Sequence, residues 1–116
     1  MIEDIIRETQ EKINGMQKDN EQAKVDFKNG DFSKVVESSE KSANYLSTIA
    51  SSLESNENLE SNKELKDIYI NTLNLVSNYY KIAHIAARKG AMEEKAGETF
   101  GKYSAIQTKL VNLHNN

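Results

Sequence analysis

Residues 63–90 read KELKDIYINTLNLVSNYYKIAHIAARKG, and this stretch decides the fold of the chain. Apolar side chains recur in it at alternating intervals of three and four residues, which is the spacing of one face of an α-helix. A second apolar line runs beside the first and leaves only a narrow stripe of polar and charged residues for solvent. The spacing predicts a helix from Lys63 to Lys89 that carries more apolar surface than one face of a helical bundle normally uses.

Gly30 and Gly90 mark two tight turns between amphipathic helices. Glycine readily adopts the left-handed conformation in which many helices end. Polar, turn-forming residues dominate positions 54–62, so this segment is predicted to be the longest loop. Two helical hairpins result, at residues 2–53 and 63–114. The sequence therefore predicts an all-α single domain, an antiparallel up-down-up-down four-helix bundle built from two helical hairpins.

Asn14-Gly15 is a turn-forming pair inside the first of these helices. Ile13 and Met16 nevertheless stay in the same apolar phase on either side of it. We therefore predict an unbroken first helix that ends at Lys28.

The composition excludes several classes of functional site. The chain has no cysteine, which removes disulfide scaffolds, thiolate catalysis and cysteine-bound zinc or iron–sulfur centres. Neither His84 nor His114 follows a glutamate by three residues, as a di-metal carboxylate centre in a bundle requires. We expect no catalytic residues, no metal and no cofactor. The N-terminus lacks the basic and apolar regions of a secretory signal, and no apolar stretch approaches the ~20 residues of a membrane span, so we expect a cytoplasmic protein without membrane contact.

Polar side chains also fall on the predicted apolar seam. Asn20, Thr9 and Thr72 occupy seam positions, and a buried asparagine can fix the register of a bundle at some cost in stability. Ser39 and Ser42 lie near the seam of the second helix. We expect these two serines to let a neighbouring helix approach closely.

Gly97 and Gly101 lie four residues apart inside the last predicted helix. Together they cost about 2 kcal/mol of helix stability relative to alanine, so close approach of another helix is the expected compensation. Ala83 and Ala87, late in the preceding helix, are small enough to allow it. We expect a tight intramolecular contact between the two pairs. The alternative is a contact with a second subunit or with a bound peptide helix.

Two sets of residues in the third predicted helix are candidates for partner binding. Tyr80, His84 and Arg88 follow one another at four-residue spacing toward the glycine turns. Ile70 and Ile85 lie outside the central apolar seam, and an extended exposed apolar patch is typical of an interface. Packing against flanking helices would explain these two isoleucines. A homodimer interface or a groove that binds a partner would explain them equally well.

Basic residues should gather at the end of the bundle that holds the two glycine turns. They are Lys24, Lys28, Lys89 and Lys95. Such an end can receive an acidic partner or a phosphate, although the helix dipole favours basic residues near helix C-termini in any case. The net charge of −3 argues against general binding of nucleic acid.

These observations predict a non-enzymatic protein–protein interaction or assembly module that presents a helical surface to another protein or to a second copy of itself. The alternative is a small regulatory domain that binds nucleic acid or another polyanion through the basic end of the bundle. Salt dependence distinguishes the two, because phosphate contacts weaken steeply with ionic strength and apolar helix docking does not.

Overall fold

The computed structural model describes residues 1–115, in which five helical segments are present. They are α1 (Ile2–Asn14), α2 (Gln17–Lys28), α3 (Phe32–Glu54), α4 (Lys63–Lys89) and α5 (Glu93–His114). No strand occurs in this range, and none of its helices is both long enough and apolar enough to cross a membrane. The prediction of an all-α bundle is confirmed, with α1 and α2 together in the place of its first helix.

The first helix differs from the prediction because it is interrupted at Gly15 and Met16. Both residues keep right-handed dihedral angles, but the amide of Met16 donates to the carbonyl of Ile13, three residues back, at 3.1 Å. Glycine is a weak helix former and asparagine favours turns, so Asn14-Gly15 weakens the helix at this point. Burial of Met16 in the main core then fixes the turn. An apolar phase that is preserved across two residues therefore does not require an unbroken helix.

Glycine has a different role in each of the two hairpin turns. Gly30 has φ = 81°, the left-handed conformation expected after α2. In the second turn the positive φ, 57°, belongs to Ala91. Gly90 is needed there for space, because a Cβ atom at this position would lie 2.9 Å from Met92 Cε and 3.1 Å from Phe32 Cβ. The predicted turn at Gly90 is present, but close packing rather than backbone conformation requires the glycine.

The central helix is α4, and the other segments pack around it. Its closest neighbours are α3 and α5, while α2 packs on α3 and α1 packs on α4. On α4, Tyr79 donates a hydrogen bond to Asn20 of α2, and Ser77 accepts one from Gln107 of α5 at 2.6 Å. Positions two residues apart are separated by about 200° around a helix, so α2 and α5 lie on opposite sides of α4. Within residues 1–115, α5 accordingly makes no extensive contact with α1 or α2, and the molecule is flattened, at 45 × 29 × 17 Å.

Two apolar clusters hold the segments together. The main cluster lies between α3 and α4 and takes Met16 and Leu110 from the flanking segments. The smaller cluster lies at the two hairpin turns, where Ala86, Ala87 and Ala96 pack with valines of α3. Because alanine side chains are short, the helices approach one another closely at this end of the bundle.

Glu54, at the end of α3, joins three helices through one carboxylate. It accepts a hydrogen bond from the hydroxyl of Tyr69 on α4 at 2.6 Å and forms an ion pair with Lys109 of α5. The bond to Lys109, and then the bond to Tyr69, lower the pKa of Glu54, against a smaller effect of burial in the opposite direction. Burial and the nearby carboxylate raise the pKa of Tyr69. The side chain of Glu54 is 50% exposed, so solvent screens the gain in stability.

Glu54→Gln should therefore lower the stability of the protein slightly at neutral pH and hardly at all in acid. A carboxyl group whose pKa is lowered on folding stabilises the native state above its ordinary pKa of 4.5, and this contribution is lost as the pH falls through the lowered value. We expect the urea midpoint of the wild type to exceed that of E54Q at neutral pH and the two midpoints to converge below pH 4.5. The control is Glu57→Gln, a change at an exposed glutamate of the following loop, which should leave the pH dependence unchanged. A difference of constant size across the acid range would contradict the role given to Glu54.

Candidate functional site

Tyr80 lies in the core and not on an exposed line with His84 and Arg88. Its side chain is 5% exposed, and its hydroxyl donates to Asn44 Oδ1 on α3 at 2.7 Å. The ammonium group of Lys102 on α5 lies 5.5 Å from the centre of its ring. Tyr80 therefore contributes to the packing of three helices, which corrects its expected place on a partner-binding surface.

His84 and Arg88 lie together in an open cavity between the C-terminal half of α4 and the first turns of α5. The cavity has a volume of about 620 Å³, and Gly97 and Phe100 also line it. His84 Nδ1 lies 2.8 Å from the carbonyl oxygen of Ala96, to which the ring N–H donates, and the rings of His84 and Phe100 are 5.4 Å apart. The hydrogen bond ties α4 to α5 and leaves Nε2 as the remaining polar atom of the imidazole.

The lysines expected at the turn end of the bundle are partly engaged within the chain. Lys95 forms ion pairs with Glu40 (3.2 Å) and Glu98 (3.1 Å), and its hydrogen bonds to Glu98 and then Glu40 raise the pKa of Lys95. Lys89 Nζ lies 6.0 Å from the centre of the Phe27 ring. Part of the basic charge is thus neutralised by neighbouring glutamates, which weakens the case for polyanion binding at this end.

Ile70 and Ile85 lie in different surroundings. Ile70 is half-buried and packs against the main core. Ile85 is 38% exposed and lines a groove between α2 and α4. Packing against flanking helices thus accounts for Ile70, whereas Ile85 belongs to an open surface.

The groove between α2 and α4, here called the α2–α4 groove, is a largely apolar cavity of about 540 Å³. It exists because α2 packs on α3 rather than on α4 along its length. Its apolar walls are formed by Ala23 and Phe27 of α2 and by Leu75, Ile82 and Ile85 of α4.

Tyr79 also lines the groove and links α4 to α2. Its hydroxyl donates to the side-chain oxygen of Asn20, the polar residue that the sequence placed on the apolar seam. Burial raises the pKa of Tyr79, and the bond to Asn20 opposes that effect. The pairing explains why an asparagine occupies this position, and apolar periodicity did not reveal it because its partner lies in a distant part of the chain.

Ser39 of α3 lies at the base of the groove. Its side chain is 2% exposed, and its Oγ has no hydrogen-bond partner within residues 1–115. A buried hydroxyl without a partner costs about 1–3 kcal/mol. Close approach of a neighbouring helix at Ser39 stays a prediction, and the unpaired hydroxyl and its position in a groove are findings of the structure.

Gly97 and Gly101 do not pack against Ala83 and Ala87, contrary to the prediction. Both alanines are fully buried, whereas both glycines are exposed, and no neighbouring group lies within 4 Å of the position that a Cβ atom would take. Phe100, next to Gly101, is 53% exposed. Within the described part of the chain, no close contact compensates for the two glycines of this helix. The alternative prediction, a contact with a second subunit or with a bound peptide helix, therefore stays open.

An uncharged stripe follows one flank of α5. Helical spacing places its members on this flank, namely Gly97, Phe100, Gly101, Ser104, Thr108 and Val111. We refer to this set as the α5 stripe. Two of its members, Phe100 and Val111, are each 53% exposed. The opposite flank of α5 carries charge, and there Lys95 and Lys109 pair with glutamates of α3.

No three His, Asp or Glu side chains within residues 1–115 lie close enough together to hold a metal ion. No protein-family model matches the chain, and no curated protein or solved structure matches it. The function is therefore inferred from the α2–α4 groove and the α5 stripe.

Ser39→Ala should raise the free energy of unfolding by about 1–2 kcal/mol, because it removes a buried hydroxyl that has no partner and improves helix propensity. Ser42→Ala is the matched control, since Ser42 is on the same helix and is buried but does not line the groove. The free energy of unfolding of this control should rise only by the difference in helix propensity between serine and alanine, about 0.5 kcal/mol. Urea unfolding measures both changes. If S39A is no more stable than S42A, the hydroxyl of Ser39 has a partner in solution.

Gly97→Ala should stabilise the isolated chain by about 0.5–1 kcal/mol, because a Cβ atom at this position meets open space and alanine is the better helix former. Gly90→Ala should do the opposite, because the added atom would press on Phe32 Cβ at 3.1 Å. Thermal unfolding in dilute solution compares the two variants. Destabilisation by G97A would mean that a neighbouring group covers this face of α5.

Proposed function

We propose that this chain is a non-enzymatic assembly module that associates with a second copy of itself through the α5 stripe. The observation that carries the proposal is the pair of exposed glycines, Gly97 and Gly101, beside the exposed ring of Phe100. Each glycine inside a helix costs about 1 kcal/mol relative to alanine. No contact within residues 1–115 offsets this cost. A helix of another molecule, packed against the stripe, offsets it through the close backbone approach that glycine permits.

The rest of the chain leaves the stripe open to a partner. Buried residues of α5, among them Ala96, Thr99 and Leu110, lie toward α4. The charged flank of α5 lies toward α3, as the ion pair between Lys109 and Glu54 shows. Because α2 is on the far side of α4, no described segment covers the third side of α5.

A second copy of the chain fits the stripe because the stripe is complementary to itself. In an antiparallel pair with a twofold axis near Ser104, positions at equal distance from that residue meet. Val111 of one copy then faces Gly97 of the other, and Phe100 faces Thr108. A larger side chain thus meets a smaller one at each of these points. The stripe holds no charged residue, so the pairing brings no like charges together along it.

Phe100→Glu should abolish self-association, because it places a charge without a partner inside the contact, opposite Thr108 of the other copy. We expect sedimentation equilibrium to show a monomer–dimer equilibrium for the wild type between low and high micromolar concentration, and only monomer for F100E. Since the side chain of Phe100 is 53% exposed in the isolated chain, the variant should remain folded, which circular dichroism checks.

The control for this experiment is Val25→Glu. Val25 is 51% exposed, like Phe100, but lies on α2 and outside the α5 stripe. The variant V25E should dimerise as the wild type does. A wild type that stays monomeric at high micromolar concentration rules out the proposed function, and equal effects of F100E and V25E rule out the α5 stripe as the interface.

A further inference from the structure

The structure points to a second property that is independent of assembly: we infer that the α2–α4 groove binds a small monocarboxylic acid with an elongated apolar body. Three features of the groove support this inference, and they concern its size, its unpaired polar atom and its charge.

The size of the groove suits a small molecule. Its volume of about 540 Å³ falls within the range of small-molecule sites, which are mostly apolar with a small number of polar groups. Along α4 the lining runs from Leu75 to Ile85, a rise of about 15 Å at 1.5 Å per residue. Three of the five α4 side chains along this length, Leu75, Ile82 and Ile85, are apolar, and the other two are Asn78 and Tyr79, so a mainly apolar, elongated ligand suits the groove.

The base of the groove requires a polar atom of the ligand. The Ser39 hydroxyl is buried and has no partner among residues 1–115, so its hydrogen-bond donor is unused, and a ligand acceptor reaches it when the side chains that cover it shift. A ligand without a hydrogen-bond acceptor would leave the Ser39 hydroxyl unpaired, and the free-energy cost of an unpaired buried hydroxyl would remain. The ligand therefore carries a hydrogen-bond acceptor that reaches Ser39 Oγ.

The charge of the groove selects an acid. Lys24 is the one ionisable side chain with a formal charge at neutral pH among the residues that line it, and the other polar side chains of the lining are neutral. Lys24 lies on α2 and Ser39 on α3, which pack directly against each other. A carboxylate accepts a hydrogen bond from the hydroxyl and is attracted by the flexible lysine, whereas an amine would be repelled.

Titration of the 116-residue chain with decanoate below its micelle concentration tests the inference. We expect the NMR signals of Leu75, Ile82 and Ile85 to shift and to saturate at one equivalent. Decanol, which has the same apolar body and no charge, should bind about threefold or more weakly, as expected for the loss of one solvent-exposed ionic contact. Absence of saturable shifts in the groove with decanoate, or equal affinity for decanol, would overturn the assignment.

Two pairs of variants locate the polar contacts. Ser39→Ala should weaken decanoate binding about tenfold, the loss of a hydrogen bond to a charged group, while Ser42→Ala leaves it unchanged. Lys24→Gln should weaken decanoate binding about threefold and leave decanol unaffected, whereas Lys18→Gln, on the same helix but outside the groove, changes neither. Because S39A removes an unpaired buried hydroxyl, the variant is expected to fold. Equal affinity of S39A and wild type for decanoate contradicts the inference even if binding occurs.

Discussion

The helix α4 has to be covered on three sides, and the rest of the molecule is arranged by this requirement. Three nearly consecutive side chains each reach a different neighbour: Ser77 bonds to α5, Tyr79 to α2 and Tyr80 to α3. Successive positions in a helix are separated by about 100°, so these bonds leave α4 in three directions. An amphipathic helix with one apolar face needs neighbours on one side only, whereas this helix brings three segments around itself.

The open surfaces follow from the same arrangement. Segments that lie on opposite sides of α4 do not pack on one another, and in residues 1–115 α5 and α2 are separated in this way. The outer flank of α5 is therefore left without a neighbour, and so is the space between α2 and α4. In a square four-helix bundle each helix has two neighbours, and both surfaces would be closed by adjacent helices.

Apolar periodicity predicted the helices well because it reports the burial that each helix requires. The bounds of α4 and the turn at Gly90 followed directly from it. It did not predict the interruption after Asn14, because a short turn can preserve the apolar phase while hydrogen bonds change. Apolar periodicity also did not predict whether the glycines of α5 are packed or exposed, because a small residue is compatible with a tight contact and with an open face. Gly90 is packed and Gly97 is not, and nothing local in the sequence separates them.

The candidate surfaces are distinguished from ordinary irregularities by whether the molecule compensates for them. Thr72 is a fully buried polar residue on the apolar seam, but its hydroxyl donates to the carbonyl of Ile68 at 2.7 Å. Asn20 is likewise paired, through the hydroxyl of Tyr79. Ser39 and Gly97 break the same kind of local rule, and the described residues supply no hydrogen bond for the first and no close contact for the second. Sequences are usually consistent across local and global levels, and exceptions without internal compensation are typical of functional positions. Both proposals offset the cost of an exception through a bound second molecule, which is why the two surfaces, rather than the polar residues of the core, carry the functional argument.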